Sequence, residues 1–124
     1  MATLPITSHR QLIVWQKSMD LVSAVYRASK TFPPEEKFGL TSQIKRAAIS
    51  VPSNIAEGRI RKGTKEFIQF LHIALGSTAE LDTQFEIARR EGFLKQAYYD
   101  SLMSALEEVG KMLTGLISSL NAKR

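Results

Sequence analysis

Hydrophobic residues recur along this chain at helical spacing in four separate stretches. From about His9 to Lys30, the residues Leu12, Trp15, Met19, Val22 and Tyr26 follow one another at intervals of 3, 4, 3 and 4, which places all five on one face of a helix. Pro33 and Pro34 stop it near Phe32, because proline disfavours helical geometry in the residue before it and has no backbone donor. Pro34, Glu35 and Glu36 then suit a short new turn. A second stripe, Leu40, Ile44, Ala47, Val51 and Ile55, predicts a helix to about Ala56, with a kink or break at Pro52 and an end at Gly58. Thr64 is the expected N-cap of a third helix. Its stripe is Phe67, Leu71, Ala74, Thr78, Leu81, Phe85 and Ala88, and Gly92 is its expected C-cap. The fourth stripe is Leu102, Leu106, Val109, Leu113, Leu116 and Leu120, widened by Met103, Met112 and Ile117.

Four amphipathic helices with short connections, and no competing strand pattern, predict an all-α fold: an antiparallel up-down-up-down four-helix bundle, kinked or broken near Pro52. The 124 residues fit a single domain spanning 1–124, with flexible tails expected at 1–8 and 122–124. The chain contains no cysteine, which excludes disulfides, thiolate metal sites and a cysteine nucleophile. No apolar run reaches the roughly 20 residues needed to cross a bilayer, and residues 1–10 lack the layout of a signal peptide. A cytoplasmic protein is the expectation.

Seventeen Lys and Arg against twelve acids give a net charge of +5, and its distribution says more than its total. Residues 45–65 carry +5, from Lys45, Arg46, Arg59, Arg61, Lys62 and Lys65 against Glu57, and residues 66–88 carry −4 from Glu66, Glu80, Asp82 and Glu86. A basic stretch is thus followed directly by an acidic one.

The segments Trp15-Gln16-Lys17-Ser18-Met19-Asp20-Leu21, Phe32 to Leu40 and Arg46 to Gly58 resemble bacterial four-helix bundle proteins encoded in intervening sequences of the 23S ribosomal RNA gene. The Ser50-Val51-Pro52-Ser53-Asn54-Ile55-Ala56-Glu57-Gly58 run is the most specific part. Glu66-Phe67-Ile68-Gln69-Phe70-Leu71 and Gly76-Ser77-Thr78-Ala79-Glu80-Leu81 belong to the same likeness, which covers roughly residues 10–120. That family includes the accessory variability determinant of diversity-generating retroelements. The resemblance implies a homopentameric ring; from the retroelement member it also implies nucleic-acid binding and association with a reverse transcriptase.

Lysine and arginine heads that neutralise phosphates supply sequence-independent affinity for nucleic acids. In a hairpin of helices two and three turning near Lys62, Glu80 and Asp82 fall near Lys45 and Arg46 and are placed to neutralise them. Arg59, Arg61, Lys62 and Lys65 face only Glu57 and Glu66, so the hairpin tip should keep a positive field. Lys45, Arg46, Arg89 and Arg90 are secondary contacts. The alternatives are a merely solvated tip, or opposite charges meeting across a head-to-tail ring contact.

Asn54 and Glu57, beside Pro52, are expected to be structural polar groups, capping a broken helix or fixing a subunit contact. A carboxylate di-iron site needs Glu-x-x-His on two helices, but position 69 before His72 is Gln and position 6 before His9 is Ile. The Arg–His pattern of helical RNA-cleaving domains is likewise missing before His72, and Gly58, Gly63 and Lys65 do not form a phosphate-cradling loop. Trp15, Tyr26, Phe67, Phe70 and Phe85 are expected in the core. No metal, cofactor or catalytic residue is expected. The function these residues predict is a non-enzymatic homo-oligomeric scaffold binding RNA or DNA through a basic surface; the alternative is a protein-binding assembly factor with no nucleic-acid role.

Overall fold

The computed structural model describes residues 8–123. Four helices carry the architecture: α1 (Ile13–Ser29), α2 (Leu40–Ile60), α3 (Thr64–Arg90) and α4 (Gln96–Ala122). Each packs against its two neighbours in the order α1, α2, α3, α4 and back to α1, and among the described residues no Cα of one helix of a diagonal pair comes within 8 Å of a Cα of the other. This is the expected up-down-up-down bundle. Its antiparallel register shows where α2 and α3 meet, since Ser50 bonds Ser77 while Gly58 abuts Phe67 and Phe70.

Single turns of 3-10 helix flank α1 at His9–Gln11 and Pro34–Glu36. Ser8 closes a capping box on the first, accepting from the Arg10 amide while the Gln11 side chain accepts from the Ser8 amide. Leu12 is then extended, at ψ 125°, so the α-helix starts at Ile13 rather than His9. The second turn is the one expected at Pro34. Its Glu36 carboxylate accepts from the Leu40 amide at 3.1 Å and so caps the start of α2. Of the expected tails, residues 1–7 and 124 lie outside the described residues, whereas Ala122 closes α4 and Lys123 is its C-cap.

The core follows the predicted stripes in α2 and α3. Ile44, Ala47, Val51 and Ile55 meet Leu71, Ala74, Leu81, Phe85 and Ala88, all buried. In α4, Leu102, Leu106, Val109 and Leu113 are buried as expected, but Ile117 takes the last core position, with Leu116 and Leu120 only partly covered.

In α1 the stripe is displaced. The buried positions are Val14, Ser18, Leu21, Val25, Ala28 and Ser29, while Met19 and Tyr26 are each 40% exposed. Both sets have helical spacing, and the larger side chains belong to the outer one. The inner set wins because small residues admit close helix packing; Ser18 satisfies its hydroxyl by donating to the Trp15 carbonyl at 2.8 Å.

Pro52 does not break α2, which runs unbroken from Leu40 to Ile60. A proline in a helix interior loses one backbone hydrogen bond, but here its ring is buried in the α1-facing side of the helix. Asn54 adds a side-chain bond to the Ser50 carbonyl at 2.8 Å in the same stretch. Gly58 therefore lies inside the helix rather than after it, and its role is a close approach: a Cβ there would sit 2.6 Å from Phe70 Cβ. Gly63, not Thr64, is the N-cap of α3, and no side chain caps that end.

Gly92 ends α3 as expected, at φ +78°. Its amide reaches the Arg89 carbonyl and the Phe93 amide reaches Ala88, the two bonds of a Schellman cap. Phe93 then packs on Phe32, with ring centroids 5.9 Å apart.

Candidate nucleic-acid interface

The eight basic residues singled out in the sequence separate into three groups. Arg59, Arg61, Lys62 and Lys65 cluster at the α2–α3 turn, between the last turn of α2 and the first of α3. Arg89 and Arg90 end α3, at the opposite end of a 27-residue helix about 40 Å long. Lys45 and Arg46 lie in the half of α2 remote from the tip, some 20 Å along the axis from Ile60 at 1.5 Å per residue. One short stretch of duplex or single strand cannot touch all eight on one bundle.

Within the tip, the Arg61 guanidinium donates to Glu57 at 3.2 Å in an exposed i,i+4 pair and lies 5.1 Å from the centre of the Phe70 ring. That exposed pair is a weak, easily exchanged contact. Lys62 and Lys65 are exposed and form no ion pair among the described residues. Four cations against Glu57 and Glu66 leave the turn net positive.

The pair at the end of α3 is differently occupied. Glu86 holds both arginines: Arg89 donates from Nη2 at 2.6 Å and from Nε at 3.1 Å, and Arg90 from Nε at 2.7 Å. The Tyr99 hydroxyl donates to the same carboxylate at 3.1 Å. Chiefly through the Arg89 and Arg90 bonds, the Glu86 pKa falls from 4.5 to about 2. Burial, and then the bond to Glu86, push the Tyr99 phenol up. Glu86 thus ties α3 to α4 through Tyr99, whose ring also stands 5.3 Å from the Arg89 guanidinium, while Arg89 and Arg90 sit over the negative end of the α3 dipole. The sequence signal for this was Glu86 at i−3 and i−4 from the two arginines; the part played by Tyr99 required the fold.

Lys45 and Arg46 are not neutralised by Glu80 and Asp82. The Lys45 ammonium turns towards α1 and stands 4.6 Å from the centre of the Tyr26 ring, and Arg46 is exposed. Tyr26 is consequently not a core residue, while Phe85 is fully buried and Trp15, Phe67 and Phe70 are half-buried.

Asn54 and Glu57 separate as well. Asn54 is half-buried and donates to both the carbonyl and the hydroxyl of Ser50, at 2.8 and 2.9 Å. Ser50 and Ser77 hydroxyls are 2.8 Å apart, and Ser77 donates on to the Ile73 carbonyl at 3.3 Å. Since each hydroxyl has one proton, the chain runs in one direction, from Asn54 to Ser50 to Ser77 to Ile73. Glu57 takes no part and lies exposed on the surface. Neither residue caps a helix break, because α2 has none.

Among the described residues, no group of His, Asp and Glu is arranged to hold a metal ion, and no helix is long and apolar enough to cross a membrane.

A crystal structure at 1.70 Å of a protein of unknown function from the S23 ribosomal protein family, from Bacteroides thetaiotaomicron VPI-5482, superposes with a TM-score of 0.79 at 27% identity, covering 86% of this chain and 96% of that one. No curated protein matches the chain. The family model described as 23S rRNA-intervening sequence protein matches residues 10–115, a span that contains the first three helical stripes, the Pro52 segment and the fourth stripe as far as Leu113. The chain belongs to the 23S rRNA-intervening sequence protein family.

Proposed function

We propose that this protein is a non-catalytic, homo-oligomeric scaffold, a pentamer as the family resemblance implies, that binds the phosphate backbone of RNA or DNA through its α2–α3 tip. The observation that carries the proposal is the state of the tip cations: Lys62 and Lys65 are exposed without an ion pair among the described residues, and the ion pair of Arg61, which also lies over the Phe70 ring, is with a solvent-exposed carboxylate. Such groups exchange their counterions for phosphates at little cost in existing contacts. A ring repeats the tip once per subunit, so several modest fields act on one polyanion.

Fluorescence anisotropy with labelled RNA and labelled duplex DNA tests this. Binding should appear at low ionic strength and weaken with salt at a logarithmic slope of about −0.9 per duplex phosphate neutralised. Four contacts correspond to a loss of roughly a hundredfold between about 50 and 200 mM salt. Replacing Arg59, Arg61, Lys62 and Lys65 together by alanine should abolish most of it. Absence of binding at low salt, or full affinity in the quadruple variant, would overturn the proposal.

A further inference from the structure

The displaced α1 stripe leaves large apolar side chains that the bundle itself does not use. Met19 and Tyr26 at 40% exposure, Ile49 at 41% and Phe38 at 89% lie on the α1–α2 side. They are organised rather than scattered. Trp15, Met19 and Val22 of α1 face Ile49, Pro52 and Ala56 of α2 across a cleft of about 330 Å³. Ile49 also lines a second cleft of about 460 Å³, with Phe38, Thr41, Lys45 and Arg46. Joined at Ile49, the two make a furrow whose α2 wall runs from Thr41 to Ala56, about 22 Å long at the helical rise, with Phe38 at its end. Its wall is basic: Lys37, Lys45 and Arg46 form no ion pair among the described residues.

A complementary shape lies elsewhere on the same molecule. Ile73, Gly76, Glu80, Thr83 and Ile87 recur on α3 at intervals of 3, 4, 3 and 4 and are all exposed, Ile73 at 51% and Ile87 at 43%. They form one ridge about 21 Å long, which fits within the furrow. Glu80 at its middle has no ion pair among the described residues, and residues 66–88 contain four acids and no Lys or Arg. An apolar furrow with a basic wall and a ridge with isoleucine at each end and an acidic centre match in length and charge.

Ridge and furrow occupy different sides of one bundle, so no copy can fill its own furrow. We propose that the α1–α2 furrow seats the α3 ridge of a second copy of this chain, with Glu80 of the ridge meeting Lys45 and Arg46. The contact is head-to-tail: each added copy offers one more furrow and one more ridge until a ring closes. This rests on the homo-oligomeric part of the function proposed above and names the surfaces that make it. It also assigns Lys45 and Arg46 to assembly and leaves phosphate binding to the tip.

The test is the mass of the full chain by light scattering at micromolar concentration, with far-UV circular dichroism confirming equal helix content. One variant spoils the furrow, Met19→Glu with Ile49→Glu; another spoils the ridge, Ile73→Glu with Ile87→Glu. Wild type should assemble and each variant alone should be monomeric. An equimolar mixture should give a heterodimer, because the intact ridge of the first enters the intact furrow of the second. Should either substitution disturb folding, Arg46→Glu and Glu80→Arg replace them: each weakens assembly and the combination in one chain restores it.

Variants that assemble like wild type, or a mixture that stays monomeric, would overturn the furrow–ridge pairing while leaving the oligomer standing. A monomeric wild type would overturn the oligomer itself, and salt-sensitive nucleic-acid binding by that monomer would still support the tip.

Discussion

Replacing Gly58 by alanine sets two opposing effects against each other. Alanine is the better helix former, by about 1 kcal/mol in a helix interior. At this position, though, the new Cβ would lie 2.6 Å from Phe70 Cβ, 3.0 Å from Phe67 Cδ1 and 3.3 Å from the Phe67 carbonyl oxygen. Carbon atoms sit comfortably at about 3.5–4.0 Å, so α2 and α3 would have to part by about 1 Å. Phe70 Cβ is fixed to its backbone and cannot swing aside as a side-chain tip can. Separation at this level also loosens Ile55, Leu71 and Ala74, which are fully buried nearby. Overpacking of this kind costs about 1–3 kcal/mol, so after the propensity gain of about 1 kcal/mol Gly58→Ala should destabilise by up to about 2 kcal/mol. Gly115, with no atom near its Cβ position, is the matched control: there only propensity acts, and alanine should stabilise by about 0.5–1 kcal/mol. Urea unfolding followed by circular dichroism, at one fixed protein concentration because assembly adds to stability, measures both. If the two alanines shift the midpoint in the same direction, the close-approach argument is wrong.

The displaced α1 stripe predicts that Leu21→Ala costs about 2–5 kcal/mol whereas Met19→Ala costs well under that, in the same unfolding assay at the lowest workable protein concentration; equal losses would restore the outer stripe to the core. Glu86→Gln tests the α3–α4 tie. A carboxyl held below its ordinary value stabilises the fold above pH 4.5 and loses that contribution as pH falls towards its folded value of about 2. The stability gap between wild type and Glu86→Gln should therefore be widest near neutrality and close towards pH 2, and a gap independent of pH would refute it.

Much of the bundle was legible from spacing alone. The α2, α3 and upper α4 stripes were placed on the correct residues because, within each, apolar size and apolar face coincide. In α1 they do not: Trp15, Met19 and Tyr26 are bulkier than Val14, Ser18 and Ala28, and periodicity cannot say which of two neighbouring faces turns inward. At Pro52, propensity predicts a kink or a break, and with its ring buried against α1 the helix continues through it without a break. Gly58 looked like a terminator until α3 lay against it.

The candidate site divides in the same manner. Sequence located the basic stretch and the count of acids near it, which is enough to leave the turn at Lys62 and Lys65 positive, since ends of a hairpin have few possible partners. It could not pair Lys45 and Arg46 correctly, because an antiparallel register fixes height along a helix but not the direction a side chain takes around it: Lys45 turns to Tyr26 and α1. Nor could it show Tyr99 joining Glu86 from another helix.

Local chemistry thus determined helices, their number, their stops at Pro33 and Gly92, and the sign of each charged stretch, all of which depend on residues near in sequence. Packing decided which stripe of α1 is core, what Gly58 and Pro52 do, and which cations are already engaged. Those outcomes turn on the volume and polarity of side chains brought together from distant positions, and no periodicity along one helix encodes its neighbour.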